Sequence, residues 1–304
     1  MKIMDNTNLD NLSTDSSLSN TQKQLKFIDL FAGIGGFHIA LHNLGLSCVF
    51  ASEWDKYARQ TYEENIKKLS PDLFESGSFK GDITLVEPSE IPDFDILCAG
   101  FPCQPFSQAG FKKGFDEARG TLFFDIVKIL ENKKPKAFIL ENVRHLLKHD
   151  NGRTFATIKR IIEEDLQYSF HYKIIKASDF GLPQHRARLF MVGFKDCKDF
   201  SFPEPIPLQL TMSDIWEGVC TRDVGFTLRV GGRGSKIHDR RNWDSYEVDG
   251  VVRQLTPTEG LKMQGFPISY DFPVSETQAM KQLGNSVAVP VVQAIAREVV
   301  LSLK

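Results

Sequence analysis

This 304-residue chain predicts an α/β fold: a largely parallel sheet covered by helices, with a small loop-rich insert near the C-terminus. Three observations carry that expectation. Short apolar runs alternate with helix-patterned stretches between residues 25 and 195, the signature of a sheet with helices on both faces. The alternation breaks at Phe200-Ser201-Phe202-Pro203-Glu204-Pro205-Ile206-Pro207, where three alternate prolines suit an extended connector. A regular pattern resumes near Leu255 and closes with a helix from about Pro290, a residue suited to a first helical turn.

In chain order, residues 1–22 are rich in Asn, Asp, Ser and Thr and lack the apolar stretch of a signal peptide, so they are expected to be a disordered tail. Strands are expected at 25–31, 47–52, 94–99, 136–141, 171–177 and 188–194. Helices are expected at 36–44, closed by Gly45, and at 55–69, 121–132 and 153–166. The last of these sets Phe155, Ile158, Ile161, Ile162 and Leu166 on one face, which buries it against the sheet. Residues 208–252 carry short β-like runs, glycines and many basic residues. The division is a tail (1–22), a large domain (23–199), an insert (200–252) and a segment completing the large domain (253–304).

Bulk composition narrows the function classes. No apolar run approaches membrane-spanning length. The five cysteines, Cys48, Cys98, Cys103, Cys197 and Cys220, are an odd set without a C-x-x-C pair. That argues against a disulfide scaffold and against structural zinc, and it fits a reducing cytoplasm. No metal is expected. Net charge is −2, so any affinity for a polyanion must be local.

Two sets of residues point to chemistry. Phe27-Ile28-Asp29-Leu30-Phe31 runs into Ala32-Gly33-Ile34-Gly35-Gly36-Phe37 and a helix, so a ligand can approach the backbone closely. The spacing is not the G-x-G-x-x-G of a pyrophosphate site. Glu53 ends the second strand, where open α/β folds bind ribose hydroxyls, and Trp54 beside it offers a face for a flat ring. Gly81-Asp82-Ile83 adds an acceptor for an exocyclic amine. Together these describe an adenosine site without a phosphate clamp, which fits S-adenosylmethionine better than NAD. In the second set, Cys103 follows the apolar strand at 94–99, Glu141 ends the strand Phe138-Ile139-Leu140, and Arg186 and Arg188 lead into the strand at 188–194. A nucleophile, an acid and paired guanidiniums at neighbouring strand ends suit addition to an electron-poor ring. Cys98, inside its apolar strand, reads as a small buried hydrophobe.

Across residues 25–304 these motifs resemble the cytosine-C5 DNA methyltransferases, in particular the bacterial enzymes of restriction–modification systems. The resemblance rests on Phe31-Ala32-Gly33-Ile34-Gly35-Gly36, Glu53-Trp54, Gly81-Asp82-Ile83, Pro102-Cys103-Gln104, Glu141-Asn142-Val143, Gln184-x-Arg186-x-Arg188 and Gly284-Asn285-Ser286-Val287. It implies a Rossmann-like class I methyltransferase sheet, with the insert as a target-recognition domain. It implies S-adenosylmethionine bound by Phe31, Gly33, Ile34, Gly35, Gly36, Glu53, Trp54, Asp82, Ile83, Pro102 and Asn285. It implies Cys103 as the nucleophile on C6 of a flipped cytosine, Glu141 on N3 and the exocyclic amine, Arg188 on O2, and Arg186 as electrostatic support. The base that removes the C5 proton stays unassigned.

The expected partner is double-stranded DNA, with a cognate restriction endonuclease possible and a bacterial cytoplasmic location. Residues from Ser107 to Gly120, with Arg119, would form the loop that closes over DNA. Residues 229–241 carry five Lys and Arg and one acid on a glycine-rich stretch, a local footprint for phosphate or guanine. Thr227 resembles the family threonine near the flipped nucleotide, and Arg229 and Arg233 are the expected guanine contacts. Arg240, Arg241, Asn242 and Trp243 are candidates for filling the gap left by the flipped base. The insert is shorter than in many members, and no second recognition loop is identified. The alternatives are a tRNA cytosine-5 methyltransferase of the same fold, and a catalytically dead DNA-binding protein; the intact chemical motifs argue against the latter.

Overall fold

A computed structural model describes residues 24–102, 121–196 and 199–304. The expectations for the tail (1–22), and for Cys103, Ser107 and Arg119, lie outside the described residues. The order of elements is β1 (Lys26–Leu30), α1 (Gly36–His42), β2 (Ser47–Ser52), α2 (Lys56–Ile66), α3 (Pro71–Glu75), β3 (Phe79–Lys80), β4 (Ile96–Gly100), α4 (Leu122–Lys133), β5 (Ala137–Val143), α5 (Arg153–Arg160), β6 (His171–Lys176) and β7 (Ala187–Phe194). After the connector come α6 (Met212–Trp216), the hairpin β8 (Ser245–Val248) and β9 (Val251–Gln254), then α7 (Pro257–Gln264), α8 (Glu276–Asn285) and α9 (Val289–Ser302).

Among the described residues seven strands form one sheet in the order β3-β2-β1-β4-β5-β7-β6. β1 lies between β2 and β4, so the chain order reverses around it, and the crevice at such a switch point is where open α/β sheets hold ligands. The sheet is largely parallel, as expected, with one reversed strand: β7 runs antiparallel to both β5 and β6. Only residues 177–186 separate β6 from β7, too short a connection for a covered parallel crossover. The reversal brings the first residues of β7 to the same edge as the last residues of β5, where Val143 pairs with Arg188.

Alternate residues of the central strands feed two apolar clusters, one per face. Phe27, Ile96, Cys98, Ile139 and Val192 join the first, with α1 and α9. Ile28, Leu97, Ala99, Leu140 and Met191 join the second, with α4 and α5. Each fully buried Leu, Ile, Val or Phe contributes about 1.5–3 kcal/mol. Cys98 is fully buried, as expected of a hydrophobe. The helix expected at 153–166 forms, but its last turn, Ile161–Asp165, widens to a π-helix that still buries Ile161 and Ile162.

The segment 206–254 is mostly irregular around β8 and β9. Its apolar residues Trp216, Leu228, Trp243, Tyr246 and Val248 belong to the same cluster as α1 and α9, so it shares the core of the large sheet. Trp243 is buried, with its Nε1–H donated to Gly231 O at 3.0 Å, and Asn242 is buried against Ile237 and Ser245. Both side chains, candidates for filling a gap in DNA, are packed within the protein.

Candidate active site

The glycine-rich turn after β1 starts with Phe31 at φ 55°, a left-handed conformation that turns the chain sharply off the sheet edge. Gly36 opens α1 where the C-terminal segment packs closest: a Cβ there would sit 2.6 Å from Val287 and 3.2 Å from Ser286. At the end of β2, the buried Glu53 carboxylate accepts from Gly33 N–H at 2.8 Å and from Asp55 N–H at 2.7 Å. Burial nevertheless raises its pKa. Asp55 caps α2 through Tyr57 N–H and Ala58 N–H, which fixes the turn carrying Trp54. The Trp54 ring is 76% exposed at the rim. Asp82 Oδ1 accepts from Thr84 N–H at 3.0 Å and from its hydroxyl at 2.8 Å, leaving the other oxygen without a hydrogen bond among the described residues.

These groups line one cavity of about 590 Å³, within the ~300–1,000 Å³ range of small-molecule sites. Of the expected cofactor residues, Phe31, Gly33, Ile34, Glu53, Trp54, Asp82, Ile83, Pro102 and Asn285 line it. Gly35 and Gly36 lie behind the lining, in the turn that shapes it. α8 closes the far side with Gln278, Lys281, Gln282 and Asn285. Sequence reasoning found only the last of these four. The signal for the others was their spacing of three, four and seven residues along one helix, which places them on one face.

The same cavity reaches the end of β5. Glu141 is buried and pairs with Arg188 Nε at 2.9 Å, and both line the cavity. Burial raises the Glu141 pKa, and Arg188 and then Arg186 oppose that rise. Asn142 donates its side-chain N–H to Phe101 O at 2.8 Å, holding the start of the 101–102 segment against β5. Pro102 lines the cavity, and Cys103 is the next residue in the chain.

Arg186 has a different place from Arg188. It is fully buried, away from the lining, and burial lowers its pKa to about 9. Its guanidinium donates to Leu228 O at 3.2 Å, to Gly284 O at 3.0 Å and to Ser286 O. Gln184 holds the backbone of the same residue from its other side, accepting from Leu228 N–H at 3.0 Å. Arg186 therefore ties the 227–228 segment and the Gly284–Ser286 loop to the start of β7.

On the insert, Arg229 is exposed and carries no ion pair among the described residues. Its backbone rests on Gly284, where a Cβ would sit 2.5 Å from the Arg229 carbonyl. Thr227 precedes the clamped Leu228 and is partly buried. Arg233, the other expected guanine contact, is engaged within the protein. It donates to Leu255 O at 2.7 Å and Glu276 at 2.9 Å and approaches the buried Asp244 at 3.6 Å, so it ties the insert to α8. Arg241 pairs with Asp239 at 2.9 Å, and Arg240 is exposed. Among the described residues no cluster of His, Cys, Asp and Glu could hold a metal ion, and no helix is long and apolar enough to cross a membrane.

A doubly wound sheet whose switch-point cavity meets a buried carboxylate–guanidinium pair defines an α/β protein with a ligand site at its sheet edge. Residues 25–223 and 221–301 match the C-5 cytosine-specific DNA methylase family. The chain belongs to that family and is a DNA cytosine-5 methyltransferase. It is 42% identical over 322 residues to the Type II methyltransferase M.SsoII of Shigella sonnei, covering 94% of this chain and 82% of that one. It is 40% identical over 321 residues to the Type II methyltransferase M.HhaI of Haemophilus parahaemolyticus, covering 92% and 95%. Among solved structures, a Dnmt2 methyltransferase of S. pombe superimposes with a TM-score of 0.70 at 19% identity, covering 92% of this chain and all of that one. A DNMT2 mutant of Spodoptera frugiperda gives 0.67 at 20% identity, covering 91% and 100%. At those identities the structures show the fold alone.

Proposed function

We propose that the protein transfers a methyl group from S-adenosylmethionine to C5 of a cytosine flipped out of a short specific duplex site, through a covalent adduct of Cys103 with C6. The charge of the cavity carries the choice of cofactor. Among the described residues four carboxylates line it, Glu53, Asp55, Asp82 and Glu141, against two cations, and those two are already paired: Arg188 with Glu141 and Lys281 with Asp55 at 3.7 Å. Such a lining favours a sulfonium and repels a pyrophosphate. Glu53 would hold the ribose hydroxyls, Trp54 the adenine face, Asp82 the exocyclic amine, and Asn285 the amino-acid end. When bound, the cofactor supplies an electrophilic methyl carbon.

The protein's own groups do the rest. The duplex hides C5 and C6 in the stack, so the base must leave it to reach the cavity. The Cys103 thiolate adds to C6, the ring loses its aromaticity, and Glu141 delivers a proton to N3 as electrons move onto the ring. Arg188 neutralises charge at O2 and keeps Glu141 oriented. C5, now enamine-like, takes the methyl group. Loss of the C5 proton re-forms the double bond, breaks the C6–S bond and releases the thiolate, and the N3 proton is given up.

The relatives' designation as Type II methyltransferases supports a role in a restriction–modification system. A fluorine at C5 cannot leave as a proton does, so DNA made with 5-fluorocytosine should trap the adduct. With S-adenosylmethionine the wild type is expected to give a complex stable in hot detergent, and Cys103→Ser none. Turnover of ordinary DNA without any trapped complex would overturn the covalent route.

A further inference from the structure

We propose that Arg144, Lys148 and Lys176 form a phosphate-binding shelf for duplex DNA, on the side of the cavity mouth opposite the insert. The proposal rests on the reading above and extends it to a surface that neither the motifs nor the cavity lining indicate. Glu141 and Arg188 point to the sheet face whose cluster includes Leu228 and Trp243, so the insert and its exposed Arg229 stand on that side of the edge. The chain leaving β5 turns the other way. Val143 is exposed on the cavity lining, and the next turn packs Leu146 into the opposite cluster, which leaves Arg144 and Lys148 exposed on that side.

Strand register adds the third cation. Val143 pairs with Arg188, and Arg188 with Ile175; one row further out, Ala187 pairs with Lys176. Ile175 is buried in the insert-side cluster, so alternation sends the exposed Lys176 to the same side as Arg144. Charge pairing separates these three from their neighbours. Arg188, Lys281, Arg153 and Arg233 are held by Glu141, Asp55, Asp150 and Glu276. Arg144, Lys148 and Lys176 carry no ion pair among the described residues, although Asp179 follows Lys176 in the next turn. A duplex wide enough to deliver one base into the cavity presents phosphates on both sides of the mouth. The insert meets one side with Arg229, and the shelf meets the other.

The test is the salt dependence of binding to a labelled mixed-sequence duplex, with S-adenosylhomocysteine present, for the full chain and for Arg144→Gln, Lys148→Gln, Lys176→Gln and the triple variant. Each substitution is expected to reduce the slope of log K against log salt by about 0.9, and the triple variant by nearly three times that. Lys67→Gln, just past the C-terminal end of α2 and paired with Glu63, is expected to leave the slope unchanged. Unaltered S-adenosylmethionine affinity by calorimetry establishes that the variants are folded. A triple variant with the wild-type slope overturns the shelf while leaving the methyltransferase reading intact, provided the wild type methylates DNA. A loss of affinity confined to a tRNA transcript would also overturn it. A wild type that neither binds nor methylates DNA would sink both.

Discussion

Glu141 concentrates the chemistry in one side chain. Burial raises the pKa of its carboxyl, against the pull of Arg188 and Arg186, a shift in the direction that favours donating a proton to N3. Glu141→Gln keeps an N–H for N3 and a carbonyl for the exocyclic amine but cannot transfer a proton. Methylation is expected to fall about 10²–10⁴-fold, with duplex affinity within a few-fold of wild type and a flattened alkaline limb in the rate–pH profile. A second buried carboxyl, Asp29, is pushed well above its usual value by burial and has no place in the chemistry. Above about pH 4 the unfolded chain has released that proton while the folded chain keeps it, so stability falls as pH rises toward the folded-state value. Denaturant titrations across pH should show that decline in the wild type and a flatter profile in Asp29→Asn. At this scale Glu53, Trp54 and Glu141 were legible as cavity-lining residues, because the end of a strand is visible in an apolar run, and Asp82 from its place in Gly81-Asp82-Ile83. Arg233 was not, because its partner Glu276 is 43 residues away and charge pattern does not report pairing.

Among the elements, the least legible was the direction of β7. An apolar strand buried on both faces reads the same whichever way it runs, yet the reversal is what sets Arg188 opposite Val143 and beside Glu141. β3 escaped notice because it is two residues long. α8 carries a cavity face and also a point of close approach at Gly284. An added Cβ there would meet the carbonyl carbon and oxygen of Arg229 at 2.5 Å and Val230 N at 2.9 Å. Those are backbone atoms and cannot rotate away. Gly284→Ala is expected to push the insert off the sheet, at a cost of about 1–3 kcal/mol. It should lower the melting temperature and broaden the set of methylated sites. An unchanged site map at an unchanged melting temperature would show that the contact yields more easily than its geometry implies.

For the whole molecule, the sequence read an insert behind a proline connector, and the structure shows that segment sharing the apolar core of the large sheet. Prolines mark where the chain leaves the sheet; they do not say whether it packs back. A shared core predicts a single cooperative transition. Trp216 and Trp243 are buried in the insert and Trp54 is exposed, so tryptophan fluorescence reports chiefly on the insert, while far-UV circular dichroism reports on the whole. The two melting curves are expected to coincide, and an insert that melts first would contradict the shared core. The net charge of −2 also has meaning at this scale. DNA affinity must come from local cations around the cavity mouth, and it should weaken steeply with salt. The central claim is that this cavity methylates cytosine in DNA at a defined site. Its most direct test is to incubate the protein with S-adenosylmethionine and unmethylated genomic DNA, then map 5-methylcytosine at single-base resolution. Methylation confined to one short motif is expected. Unmodified DNA, from folded protein that binds the cofactor, would contradict it.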